Sequence, residues 1–101
     1  MSNEDRLINA CMRGDYQEVK STVESLEVKI NYQDDNGKTP LMWASINGHL
    51  NVVQYLIEEG ANPNIKNNKG KTALDLAEEN GHKKVAEFLR KARAKHGNEI
   101  D

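Results

Sequence analysis

Reactive side chains are few in this chain. Its 101 residues include one cysteine, Cys11, and three histidines, His49, His82 and His96. A nucleophilic thiol needs a base within reach and an electropositive setting that favours the thiolate. No histidine or recurring acid flanks Cys11 at such spacing, so a packed, inert thiol is expected. A zinc site needs three or four ligands. His49 and His82 stand 33 residues apart with no further ligand at coordinating spacing, and His96 falls in a polar stretch expected to be solvated. Gly37 and Gly70 are isolated glycines, unlike a phosphate-cradling loop, and neither G-x-S-x-G nor H-E-x-x-H occurs. No catalytic, cofactor-binding or metal-ligating residue is therefore assigned, and the chain is expected not to be an enzyme. What remains is the chemistry of recognition: the sole tryptophan, Trp43, and clusters of Asn, Asp and Lys.

Those groups need a scaffold, and the composition restricts what it can be. Only 21 residues are Leu, Ile, Val or Phe, 30% are charged, and the net charge is −2. Mean hydropathy is −0.82. So few apolar residues sit at the lower limit for filling one central core. The longest apolar run is residues 41–44, far short of the roughly 20 that span a bilayer. The first six residues are polar and acidic, unlike a secretory or transit segment. One cysteine excludes an intrachain disulfide framework. A reducing, cytoplasmic setting follows as the expectation. Residues 1–63 carry a charge of −5 and residues 64–101 carry +3, with acids interleaved among the bases. Neither nucleic acid nor an anionic membrane is expected as a partner.

An internal repeat supplies the missing scaffold. Residues 37–57 and 70–90, offset by 33, are identical at ten of 21 positions, from Gly37/Gly70 through Asn47/Asn80, Gly48/Gly81 and His49/His82 to Leu56/Leu89. A fainter copy at an offset of 34 puts Leu7, Ala10, Gly14 and Val19 under Leu41, Ala44, Gly48 and Val53, and Asp5 under Thr39. That alignment makes Asp5 the expected cap of the first helix. The extra residue lies within 24–30.

Each copy reads as two short helices and a loop. Thr39-Pro40 is an N-cap followed by proline at the first helical position, where a missing N–H costs nothing. Leu41 and Ala44 share a face, and Asn47-Gly48 ends the helix with a left-handed residue. A second helix from near His49 carries the stripe Val52, Val53, Leu56 and Ile57, until Gly60 and Pro63 stop it. Residues 62–70 read as an extended loop or hairpin. Helices this short are unstable alone, so each must bury its stripe against the next copy.

The string from Gly37 to His49, GKTPLMWASINGH, closely resembles the ankyrin-repeat signature, and Val52-Val53, Leu56-Ile57, Gly60-Ala61 and Asn64 continue it. The resemblance implies an all-α ankyrin-repeat solenoid with projecting hairpins. A single domain is expected over residues 1–93, with repeats at 4–30, 31–63 and 64–93, and a polar tail at 94–101. Two departures stand out. The family's histidine after T-P-L is Met42 in one copy and Asp75 in the next, which puts its inter-loop hydrogen bonds in question. Lys83 and Arg90 replace the apolar Leu50 and Ile57, as a wet terminal face requires. Both ends read as capped, so the chain is expected to be a complete small array and a monomer.

The resemblance also implies a concave surface of hairpin tips and first helices that grips a protein partner. On repeat 2 that surface maps to Gln33, Asp35, Asn36, Lys38, Trp43, Ile46 and Asn47. On repeat 3 it maps to Lys66, Asn68, Lys69, Lys71, Glu79 and Asn80. Met12 and Arg13 are the repeat 1 equivalents. Trp43 either packs between neighbouring helices or stands partly exposed as an aromatic anchor. The acidic first tip and the lysines of the second are either a bipolar grip or an ordinary solvated mixture. The expected function is thus a non-catalytic protein–protein interaction module, an adaptor, scaffold or inhibitor. The alternative is a self-associating repeat unit or an engineered scaffold without a natural partner.

Overall fold

The computed structural model describes residues 1–100. Six helices follow in order: α1 Asn3–Arg13, α2 Tyr16–Ser25, α3 Pro40–Ile46, α4 Leu50–Glu58, α5 Ala73–Glu79 and α6 Lys83–Lys91. No strand occurs among the described residues. Helices α1, α3 and α5 form one row and α2, α4 and α6 another, each helix touching its counterpart in the neighbouring pair.

The apolar positions that recur along the sequence meet between the rows. Leu7, Leu41 and Leu74 are buried, as are Ala10, Ala44 and Ala77, and Val53 and Val19. Val52, Val85, Leu56 and Leu89 complete the shared core. Each fully buried aliphatic side chain of this size contributes roughly 1.5–3 kcal/mol. The 33-residue spacing thus lets a small apolar inventory be used across every interface. Lys83 and Arg90 are exposed on the last helix.

Thr39 caps α3 by accepting from the Met42 amide at 3.2 Å. Thr72 caps α5 in a reciprocal box with Asp75. The helix turns are joined across repeats by histidine. His49 Nε2 lies 3.0 Å from the Met12 carbonyl, and His82 Nε2 lies 2.8 Å from the Ile46 carbonyl. A carbonyl can only accept, so Nε2 carries the proton in both rings. In repeat 1, Asp15 stands where the others have histidine. Its carboxylate instead caps α2 through the Glu18 amide at 3.2 Å.

Two expectations need correction. Asp5 does not cap α1. The helix begins earlier, and Ser2 is the cap, accepting from the Asp5 amide at 3.0 Å. The residues before Asp5 take helical turns up to Ser2, whose hydroxyl oxygen supplies the capping acceptor. His96 is also not simply solvated, because residues 94–100 lie against repeat 3. Lys95 donates its amide to Asn64 Oδ1 at 2.8 Å and its carbonyl accepts from the Thr72 hydroxyl at 2.6 Å. The first of these repeats the bond of the Asn62 amide to Asn31 Oδ1, 33 residues upstream. Arg93, with φ of 64°, takes the left-handed conformation that Gly60 holds in repeat 2. Asp101, the last residue of the expected tail, lies outside the described residues.

Candidate partner-binding groove

Two hairpin tips project beside the first helices, and the same device builds both. Asp34 Oδ1 accepts from the amides of Asn36 and Lys38, each at 2.9 Å. Asn67 Oδ1 accepts from those of Lys69 and Lys71 at 2.9 and 3.0 Å. A short acceptor side chain that folds back on its own loop fixes the turn locally. Backbone bonds from Asp34 to Lys38 and from Asn67 to Lys71 close the two loops identically.

The tips are also tied to each other. Gln33 Nε2 donates to the carbonyls of Gly37 and Lys66 at 2.8 and 3.0 Å. Asn68 donates its backbone amide to the Asn36 carbonyl at 3.1 Å and its side-chain amide to the Asp35 carbonyl at 3.0 Å. This cross-tip ladder supplies the inter-loop bonds that the missing histidines at positions 42 and 75 left in question. Met42 is simply core, and Asp75 accepts from the amides of Thr72 and Gly97 at 2.9 and 2.7 Å. Burial opposes ionisation of Asp75, but those hydrogen bonds prevail and its carboxyl stays below the ordinary value.

Between the tips and α3 and α5 lies a concavity of about 310 Å³. Lys38, Lys69 and Lys71 line it, opposed by Glu79. Asn36, Asn67, Asn68 and Asn80 add amides, and the apolar lining is Ile46 with Leu76. Lys71 and Glu79 form an ion pair, and the hydrogen bond to Glu79 raises the lysine's pKa. Lys38 places its ammonium 4.6 Å from the centre of the Trp43 ring. The indole N–H donates to Asp34 Oδ2 at 2.9 Å. Trp43 is therefore half-buried, packed against the core with its ring fixed to the first tip. It is neither fully packed between helices nor a free anchor.

A family model described as ankyrin repeats, in three copies, matches residues 7–100. The chain belongs to the ankyrin-repeat family. A chain in the solved structure of a predatory endopeptidase from Bdellovibrio bacteriovorus in complex with an immunity protein superposes with a TM-score of 0.86. The identity is 41%, over 89% of this ankyrin chain and 47% of that one. The palmitoyltransferase AKR1 of Eremothecium gossypii is 44% identical over 59 residues, 56% of this chain and 8% of its own length. The BTB/POZ domain-containing protein 3 of Schizosaccharomyces pombe is 47% identical over 55 residues, 54% of this chain and 10% of its own. The ankyrin chain thus spans about a tenth or less of these curated relatives.

The groove gathers eight of the expected partner-facing residues: Asn36, Lys38, Ile46 and Asn68, with Lys69, Lys71, Glu79 and Asn80. The others lie outside it. Gln33 is occupied between the tips, and Asp35 is exposed beyond them. Asn47 donates to the Met12 carbonyl at 3.2 Å, joining repeats 1 and 2, and Arg13 is exposed at the end of α1. Lys66 points toward the other side of the tip and donates to the Ile100 carbonyl at 3.0 Å. Sequence reasoning missed Leu76 and Asn67 as groove residues and missed the role of Asp34 in holding Trp43. The recurrence of a short acceptor at positions 34 and 67 was the available signal.

Elsewhere, Cys11 is fully buried, and burial pushes its thiol up to about 12, far from a thiolate at neutral pH. Asp75, Glu78 and His96 bring acceptor atoms within 4.8 Å of one another. They are engaged among themselves and with neighbours: His96 Nε2 meets Glu78 at 2.7 Å and Nδ1 meets Glu99 at 2.8 Å. Hydrogen bonds to Glu99 and then Glu78 raise the histidine above its ordinary value. Arg90 also binds Glu78, at 2.6 Å, and chiefly this bond lowers the Glu78 carboxyl. No helix among the described residues is long and apolar enough to cross a membrane.

Proposed function

We propose that this chain is a non-catalytic protein-binding module that holds its partner against the concave face of hairpin tips and first helices. The observation that carries this reading is the groove itself, framed by two tips cross-linked through Gln33 and Asn68. A frame already rigid in the free protein loses little conformational entropy on binding, so more of the contact energy appears as affinity. The likeness to a chain from an endopeptidase–immunity protein complex is consistent with a role in protein recognition. Within that reading the chain acts as a monomeric adaptor, scaffold or inhibitor in a reducing compartment, where Cys11 stays a thiol.

The test is capture of partners from a lysate of the source organism by the immobilised chain. Variants Ile46→Arg and Lys69→Glu should lose the captured protein while the helical circular dichroism is unchanged. A convex-face control, Asn51→Arg, should keep it. Loss in the control with retention in the groove variants would place binding elsewhere and reject the concave-face reading.

A further inference from the structure

The groove's charge is opposite in sign to that of the chain. The whole protein carries −2, whereas the groove presents three lysines against one glutamate. That glutamate is already bound to Lys71. Among the described residues, neither Lys38 nor Lys69 forms an ion pair. Lys38 rests over the Trp43 ring, which orients an ammonium without neutralising it. Neither acid of the first tip lines the groove: Asp34 is engaged by two backbone amides and the indole N–H, and Asp35 is exposed beyond it. Lys38 and Lys69 therefore keep ammonium groups with no ion-paired acid, although Asp34 and the exposed Asp35 share the first tip with Lys38.

The floor between those rims is apolar. Ile46 of α3 and Leu76 of α5 line it side by side in the space between the two first helices. At the repeat 3 equivalent of Ile46 stands Glu79, and the Lys71 ion pair draws its carboxylate aside. The result is an apolar seat between two cationic edges, with the free side chain of Asn36 on one edge.

We infer that the groove takes an extended acidic segment of the partner, with carboxylates reaching Lys38 on one rim and Lys69 on the other and an apolar side chain seated on Ile46 and Leu76 between them. This inference rests on the concave-face reading and adds the chemistry of the occupant. In an extended strand residues i, i+2 and i+4 share one face, so acids two positions either side of one apolar residue match rims flanking one seat. Lysines at the edge of an apolar seat would disfavour a basic segment by like-charge repulsion, which gives the groove selectivity as well as attraction.

The probe is a random peptide display library, followed by resynthesis of the enriched peptides and of counterparts with Asp and Glu changed to Asn and Gln. Enriched peptides should carry acids on both sides of an apolar residue. Their binding should shift the NMR amide signals of Ile46, Lys69 and Leu76. Affinity should fall about tenfold or more in the amide counterparts and in the Lys38→Ala/Lys69→Ala double variant, and should weaken as salt is raised. Lys69→Glu alone, at an exposed tip position, provides a second variant that cannot act through the Trp43 contact. Peptides that seat in the groove without acidic bias, and that bind the double variant equally well, would overturn this inference and leave the concave-face reading standing. Enriched peptides whose shifts map outside the groove, or no enrichment at all, would overturn both.

Discussion

Asn47-Gly48-His49 and Asn80-Gly81-His82 are the same three residues in the same turn, with glycine φ values of 72° and 75°. Their surroundings differ. A side chain at Gly48 would run into the ring of His82, which crosses from the next repeat to the Ile46 carbonyl. A side chain at Gly81 would meet nothing. The turn between α1 and α2 of repeat 1 behaves like that of repeat 2, with Gly14 against His49. Glycine is thus needed for backbone conformation at all three turns, but for close contact only where another repeat docks. In a solenoid, an identical sequence contributes differently according to its neighbour.

Mutations should separate the two requirements. The largest effect is expected from Gly48→Ala. A left-handed alanine costs about 1–2 kcal/mol, and displacement of the His82 ring adds a comparable loss, for about 3 kcal/mol in all. Gly81→Ala should show the backbone term alone, about 1–2 kcal/mol. Urea unfolding of the pair measures the difference, and equal losses would show that the histidine contact contributes nothing.

His82→Ala comes next. It leaves the Ile46 carbonyl without its partner, at a cost of about 1–2 kcal/mol. Combined with Gly48→Ala it should give less than the sum, because the collision disappears with the ring. Strict additivity in the double-mutant cycle would contradict the proposed crowding.

A smaller contrast separates the two helix caps. Thr39→Val removes a cap worth about 1 kcal/mol. Thr72→Val removes the equivalent cap and also the bond to the Lys95 carbonyl, so it should cost roughly 1 kcal/mol more. It should also increase backbone mobility of residues 94–100 by NMR relaxation, which Thr39→Val should not.

The smallest effect concerns pH. The raised His96 value means that the folded state holds its proton more tightly than the unfolded chain. The contact is therefore fully present below the ordinary histidine value and is lost as pH rises through the raised one. Glu78 and Glu99 are lowered, so their share is present above ordinary carboxylate values and lost as pH falls through the lowered ones. Attachment of the last residues should be tightest in mildly acidic solution. The His96 ring signals, followed by NMR titration, should move in step with the amides of residues 94–100. Independent titration of the two would exclude the coupling.

Much of the inner joint was readable from residue types. Gly48 and His49, with Gly81 and His82, recur at one offset, and the apolar positions that recur with them form the core. The end was harder to read, because its partners are polar and lie 23 or 31 residues away, at Thr72 and Asn64. Polar composition marks residues 94–101 as a tail, yet Ala94 repeats Ala61 and donates to the Leu89 carbonyl as Ala61 donates to Leu56. Asp5 was misplaced because alignment assigned it the cap that Ser2 supplies. In the groove, Lys38, Lys69 and Ile46 were evident from position. The engagement of Lys71 by Glu79 and of Gln33 between the tips depends on side-chain directions that spacing does not encode.

Trp43 gives the molecule an optical consequence. It is the only tryptophan, its N–H is held by Asp34, and the ammonium of Lys38 lies over its face. Indole emission responds to nearby charge and to the strength of that N–H bond. A bound segment that draws Lys38 away, or shifts the first tip, must alter the emission without any added dye. The protein therefore carries an intrinsic fluorescence gauge at the edge of its groove, and occupancy can be followed in unlabelled material.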